Sequence, residues 1–134
     1  MSETLYHPEV FIPQWFEMPT ERVHLVYTKH ALYACNNDRY GAIPVFLTIP
    51  LDKFELVELG VKDSKVNQLG IPAKREVSKI VVRGHFDDTR DITFALVPNQ
   101  GIRDGKPVYR VKTVWFNLNS DKHKSLNRSR YAVA

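Results

Sequence analysis

The stretch VSKIVVRGHFDDTRDITFALVPNQGIRDGKPVYRVKTVWFN, residues 77–117, constrains the fold more than any other part of this chain. Three runs rich in β-branched and aromatic residues, 77–86, 91–98 and 108–117, read as strands. FDDTRD and NQGIRDGKP separate them, and both consist largely of turn-forming residues. Consecutive strands joined by such short connections pair antiparallel. The spacing therefore predicts an antiparallel sheet built from the second half of the chain.

The upstream half adds one helix. In RVHLVYTKHALYACNNDRYG, Thr28 is a natural N-cap, and Ala31, Leu32, Ala34 and Cys35 form an apolar stripe at helical spacing. Gly41 follows as a C-terminal stop, so a helix is predicted over about residues 29–40. PVFLTIP reads as a short strand between Pro44 and Pro50. KFELVELGV, 53–61, suits a helix by composition and a strand by alternation, and the strand fits Gly60 and Val61 better. Residues 62–76, polar with Gly70 and Pro72, read as a loop. Pro8, Pro13 and Pro19 make residues 1–20 an irregular arm carrying Phe11, Ile12, Trp15 and Phe16. At 134 residues the expectation is one α+β domain: the arm, then a 21–134 core of antiparallel sheet with one main helix on one face, ending in a basic tail.

Several function classes are disfavoured. No apolar run approaches the ~20 residues needed to cross a bilayer. The opening MSETLYHPEV lacks the basic and apolar regions of a secretory signal. The single cysteine, Cys35, cannot form an internal disulfide, which fits a cytoplasmic setting, and its apolar neighbourhood suits a buried thiol better than a nucleophile. His7, His24, His30, His85 and His123 show no metal-ligand spacing. No phosphate-cradling glycine loop and no nucleophile-elbow motif is present. The Asp87-Asp88 pair fits turn chemistry better than acid–base work.

Charge is the remaining lead. The formal net charge is +4, yet the segment from Lys106 onward holds seven cations against Asp121 alone. That segment carries +6 and the rest of the chain −2. A solvated tail explains this, and so does a phosphate-binding face. Within KTVWFNLNSDKHKSLNRSRY, residues 112–131, a core strand passes into a basic run around His123. Arg83 and His85, two apart, share one face of a strand. Histidine can move the proton of a ribose 2′-hydroxyl, and arginine or lysine can stabilise charge on a phosphoryl oxygen. Each residue also has a plain structural alternative. On that reading His30 braces the helix start, Arg83 pairs with Asp87, Asp88 or Asp91 across the hairpin, His85 is a surface residue, Trp115 and Phe116 pack, and Tyr131 staples the tail rather than stacking on a base.

The stretch HLVYTKHALYACNNDRYG resembles the strand-to-helix start of small RNA-cleaving proteins of the RelE-like, barnase–EndoU–colicin superfamily, and is similar in particular to RegB-type phage endoribonucleases. The order KIVVR, DITFALV, VKTVW is similar to the sheet of that fold, and the likeness spans about residues 23–131. It implies His30 as acid or base, with Lys29 beside it and Arg39 as a basic residue near the helix end. Asn36-Asn37 departs from the pattern, since relatives often carry a basic residue there. The charge argument adds His123 as the complement of His30. The expectation is a metal-independent endoribonuclease of toxin or phage type, with His30, Arg83 and His123 as catalytic residues. Lys29, Lys112, Arg128, Arg130 and Tyr131 would hold RNA. No cofactor is expected; partners would be RNA, including ribosome-associated mRNA, and an antitoxin or host protein. Two alternatives stand beside it: an inhibitor of a host nucleic-acid enzyme anchored by Phe11, Trp15 and Phe16, and a plain RNA- or DNA-binding protein.

Overall fold

The computed structural model describes residues 3–6, 21–63 and 75–121. In chain order the elements are β1 (Glu3–Tyr6), β2 (Arg22–Tyr27), α1 (Lys29–Asn36), β3 (Thr48–Pro50), a 3-10 turn (Leu51–Lys53), β4 (Glu55–Asp63), β5 (Arg75–His85), β6 (Arg90–Val97), β7 (Ile102–Arg103) and β8 (Lys106–Leu118). One sheet runs in the order β1-β4-β5-β6-β8-β2-β3, and β7 pairs with the start of β8. The molecule is α+β, as the residue pattern predicts. Among the described residues no helix is long and apolar enough to cross a membrane.

The sheet is mixed, which corrects the antiparallel expectation. β4, β5, β6 and β8 pair antiparallel, but β2 lies parallel to β8, with His24 opposite Val108 and Tyr27 opposite Val111. Short turns dictate antiparallel pairing only between neighbours in sequence. The β2–β8 pairing joins strands separated by most of the chain, so no local turn sets its direction.

The sheet must also curl. β3 and β4 are five strand spacings apart in the sheet, about 24 Å if it were flat. Only residues 51–54 join Pro50 to Glu55, a reach of about 17 Å at full extension. Curling brings the two strands within that reach and creates an inner face. Ile80, Val82, Phe94, Leu96, Val111 and Phe116 are buried there, with Ala31 and Cys35 of α1 in the same cluster. A smaller cluster of Val57, Val81 and Ala95, packed by Trp115, lies on the outer face. There the buried Glu58 pairs with Lys79 Nζ at 3.0 Å.

Element boundaries shift for identifiable reasons. α1 begins where Thr28 caps it, the Thr28 Oγ1 accepting from Ala31 N at 3.0 Å. It ends at Asn36, four residues before the expected limit. Asn37 Nδ2 donates to Tyr33 O at 2.8 Å, and Asp38 accepts from Tyr40 N and from Phe116 N. These polar side chains satisfy backbone groups at and beyond the helix end. The expected strand 44–50 is reduced to Thr48–Pro50, because Pro44 offers no donor and Phe46 O accepts from Tyr27 Oη instead. The β4 run starts at Glu55, two residues later than expected, because Phe54 N closes the 3-10 turn on Leu51 O. It continues to Asp63, and β5 begins at Arg75, so strands take up both ends of the stretch 62–76 expected as a loop, while residues 64–74 lie outside the described residues. β1 places a strand within the arm expected to be irregular, Leu5 lying opposite Gly60. The β7–β8 hairpin turns at Asp104 and Gly105, both at positive φ, as a two-residue Asp-Gly turn requires.

Candidate functional site

The curl leaves a cavity of about 510 Å³ at one end of the inner face. Phe94 from β6 forms part of its wall and is fully buried. The rings of Phe46 and Phe54 meet Phe94 edge-on, at centroid distances of 6.3 and 5.9 Å. Phe86, just beyond β5, completes the aromatic lining and packs on Phe116 at 4.7 Å. Three basic side chains border this apolar space: Arg22 at the start of β2, Lys53 on the 3-10 turn, and His85 at the end of β5. Arg22 Nη1 donates to Thr48 Oγ1 at 3.0 Å, which holds the guanidinium against β3.

A polar groove of about 390 Å³ adjoins it, and Lys53 and His85 line both. Glu55, Arg83, Asp91 and Asp121 form much of the groove's remaining wall. Arg83 is committed to this framework. Its Nε donates to Asp91 Oδ2 at 2.9 Å, and its Nη2 donates to the carbonyls of Leu118 and Asp121 at 3.1 and 2.7 Å. Of the three partners expected across the β5–β6 hairpin, Asp87, Asp88 and Asp91, Arg83 pairs with Asp91. His85 Nδ1 stands 4.0 Å from Asp91 Oδ1, and the His85 side chain is 71% exposed.

A second clamp holds the neighbouring loop. Arg90 binds Asp87 Oδ2 through Nε and Nη2 at 3.0 and 2.6 Å and donates from Nη1 to Tyr40 O at 2.8 Å. Its guanidinium lies over the rings of Phe86 and Phe116. The Arg90 hydrogen bond holds the Asp87 carboxyl well below the usual carboxylate range. Asp87 also accepts from Thr89 N and Arg90 N, so it serves as the turn residue the sequence suggests.

Of the expected catalytic residues, His30 and Arg83 fall on different elements and different faces of the sheet. His30 is exposed in the first turn of α1, a helix that packs on the inner face. Arg83 shares the outer face with Val81, two residues before it on β5. His123 lies outside the described residues, as do Arg128, Arg130 and Tyr131. Lys29 is exposed beside His30. Lys112 is exposed and lines a separate groove with Arg110 and Lys62. Burial pushes the Cys35 thiol up, with the Asp38 charge adding to the effect, which disfavours the reactive thiolate. Among the described residues no cluster of three or more His, Cys, Asp or Glu side chains could hold a metal ion.

No sequence motif marks Arg22, Lys53 and the phenylalanines around them. PVFLTIPLDKF contained the signal, two phenylalanines and a lysine among prolines, but nothing local shows that it closes onto β5. No protein-family model, curated protein or solved structure matches this chain.

Proposed function

We propose that this protein binds single-stranded RNA and cleaves it through the 2′-hydroxyl beside a bound base. The observation that carries this reading is the shared rim: Lys53 and His85 border both the aromatic cavity and the polar groove. A base is planar with apolar faces, and its stacking on aromatic side chains is worth about 1–3 kcal/mol. Seated among Phe46, Phe54 and Phe86, it leaves its ribose and 3′-phosphate at that rim. Arg22 and Lys53 then place positive charge beside the phosphoryl oxygens.

His85 takes the proton of the 2′-hydroxyl. The 2′-oxygen attacks phosphorus, the bond from phosphorus to the 5′-oxygen breaks, that oxygen takes a proton from water, and His85 releases its own proton to solvent. The products are a 2′,3′-cyclic phosphate and a 5′-hydroxyl. Asp91 faces the Nδ1 side of the ring, leaving Nε2 for substrate, and Arg83 holds Asp91 in place. Arg83 is a positioning residue in this scheme, whereas His30 lies apart from it. The likeness to RelE-like ribonucleases rests on the sequence stretch HLVYTKHALYACNNDRYG.

Incubation of the purified protein with single-stranded RNA in EDTA, followed by analysis of fragment ends, tests the reading. Fragments should carry cyclic phosphate and 5′-hydroxyl ends, and DNA of the same sequence should stay intact. RNA left both uncut and unbound would overturn it.

A further inference from the structure

A second groove, of about 340 Å³, lies towards the other end of β5. Glu76 lines it and His85 lines the first site, so the two are nine residues apart on one strand, about 30 Å. Three cations from two strands reach this groove. Lys62 comes from β4, and Arg110 and Lys112 from β8. All three are exposed, and none pairs with a described carboxylate. Glu76 is the one carboxylate among the lining residues, so the lining carries a formal +2.

The register of β8 gives Lys112 a position of its own. Pairing with β6 passes from Ala95 opposite Thr113 to Leu96 opposite Val111, and Lys112 is left in the bulge without a partner. A bulge of this kind re-aims the side chain of its extra residue. Val111 is buried in the core cluster while Arg110 and Lys112 on either side of it remain exposed. Asn99 and Gln100 add amide groups to the rim. Their loop is pinned to β8 by Gln100 N to Val108 O at 3.0 Å and Val108 N to Gly101 O at 2.9 Å.

We infer that this groove holds backbone phosphates of the same RNA strand, well away from the base in the aromatic cavity. The inference rests on the RNA reading above and adds to it a second, sequence-independent contact. Three cations with no ion-pair partner among the described residues, around a groove lined by one carboxylate, suit phosphate oxygens, and such contacts fix the position of a strand without reading its bases. A single nucleotide in the cavity is too short to reach the groove, so only longer strands should sense it.

Binding of two probes separates the two sites. One is a nucleoside 3′-monophosphate; the other is a 12-nucleotide 2′-O-methyl RNA, which binds without being cleaved. Both are measured against wild type, Arg110→Gln plus Lys112→Gln, and Lys62→Gln, from 50 to 200 mM salt, with unfolding midpoints confirming folded protein. The double variant should weaken the 12-mer and lower its log–log salt slope by about 1.4, roughly 0.7 per lost phosphate contact. Lys62→Gln should lower it by about half as much. The mononucleotide should bind all three proteins alike. An unchanged 12-mer slope, with the mononucleotide still bound, would overturn the groove and leave the cavity reading standing. Failure of both probes to bind wild type would overturn both.

Discussion

Gly84 lies directly beneath the ring of Phe54: a Cβ on Gly84 would come within 2.8 Å of Phe54 Cδ2 and Cε2. That is closer than side chains approach, so the bare backbone at Gly84 is what lets Phe54 lie on β5 as a wall of the cavity. Gly84→Ala should push the ring out of place. The expected cost is about 1–3 kcal/mol of stability, together with weaker base binding. Denaturant unfolding and nucleotide titration check it, and unchanged affinity would show that Phe54 is not a wall of the binding site.

Arg83 ties three groups at once: the Asp91 carboxylate and the carbonyls of Leu118 and Asp121. Arg83→Met keeps the stem but leaves those acceptors without their donor. Stability should fall by about 2–4 kcal/mol, since unpairing a largely buried charge costs more than the pair itself contributes. Asp91→Asn keeps the shape and should slow cleavage while leaving RNA affinity nearly unchanged. If both substitutions were silent in unfolding and in rate, the clamp would have no role in the site.

How much of this was legible differs by element. The β5–β6–β8 meander could be read because alternation and turn residues are local signals, and Thr28 marked the helix start for the same reason. The parallel β2–β8 pair could not, because its direction is set by the whole sheet closing rather than by a turn. The candidate site divides the same way. Strand alternation puts Arg83 and His85 on one face, and Asp91 is one of the three partners that the hairpin offers Arg83. The contact of Phe54 with Gly84 joins residues 30 apart in sequence, and no spacing rule announces it. His30 drew attention through a family pattern, whereas the rim was assembled by curling.

Burial pushes Tyr109 up to about 12, and Tyr27 is raised still further, by burial and then by nearby Cys35, against the opposing hydrogen bond to Phe46 O. Unfolded tyrosine ionises near 10. A pKa raised on folding contributes stability that is whole below the unfolded value and is lost as pH rises towards the folded one. Unfolding free energy should therefore fall between about pH 10 and 12. Denaturant curves across that window check it. Stability unchanged over the window would contradict the burial of these two phenols.

Cys35 should behave as a packing residue. Its thiol is buried and its pKa raised, so a thiol reagent at neutral pH should label it only after denaturant is added. Rapid labelling of native protein would mean that α1 is not seated on the sheet as described.

The most direct measurement is the single-turnover cleavage rate of one single-stranded RNA by wild type, His85→Ala and His30→Ala in EDTA. Both histidines are exposed, so neither substitution should disturb the fold. A general base is worth about 10²–10⁴ in rate. His85→Ala should lose at least about a hundredfold and His30→Ala should match wild type. Loss of cleavage in His30→Ala with His85→Ala unimpaired would contradict the account, moving the chemistry from the rim of the aromatic cavity to the start of the helix.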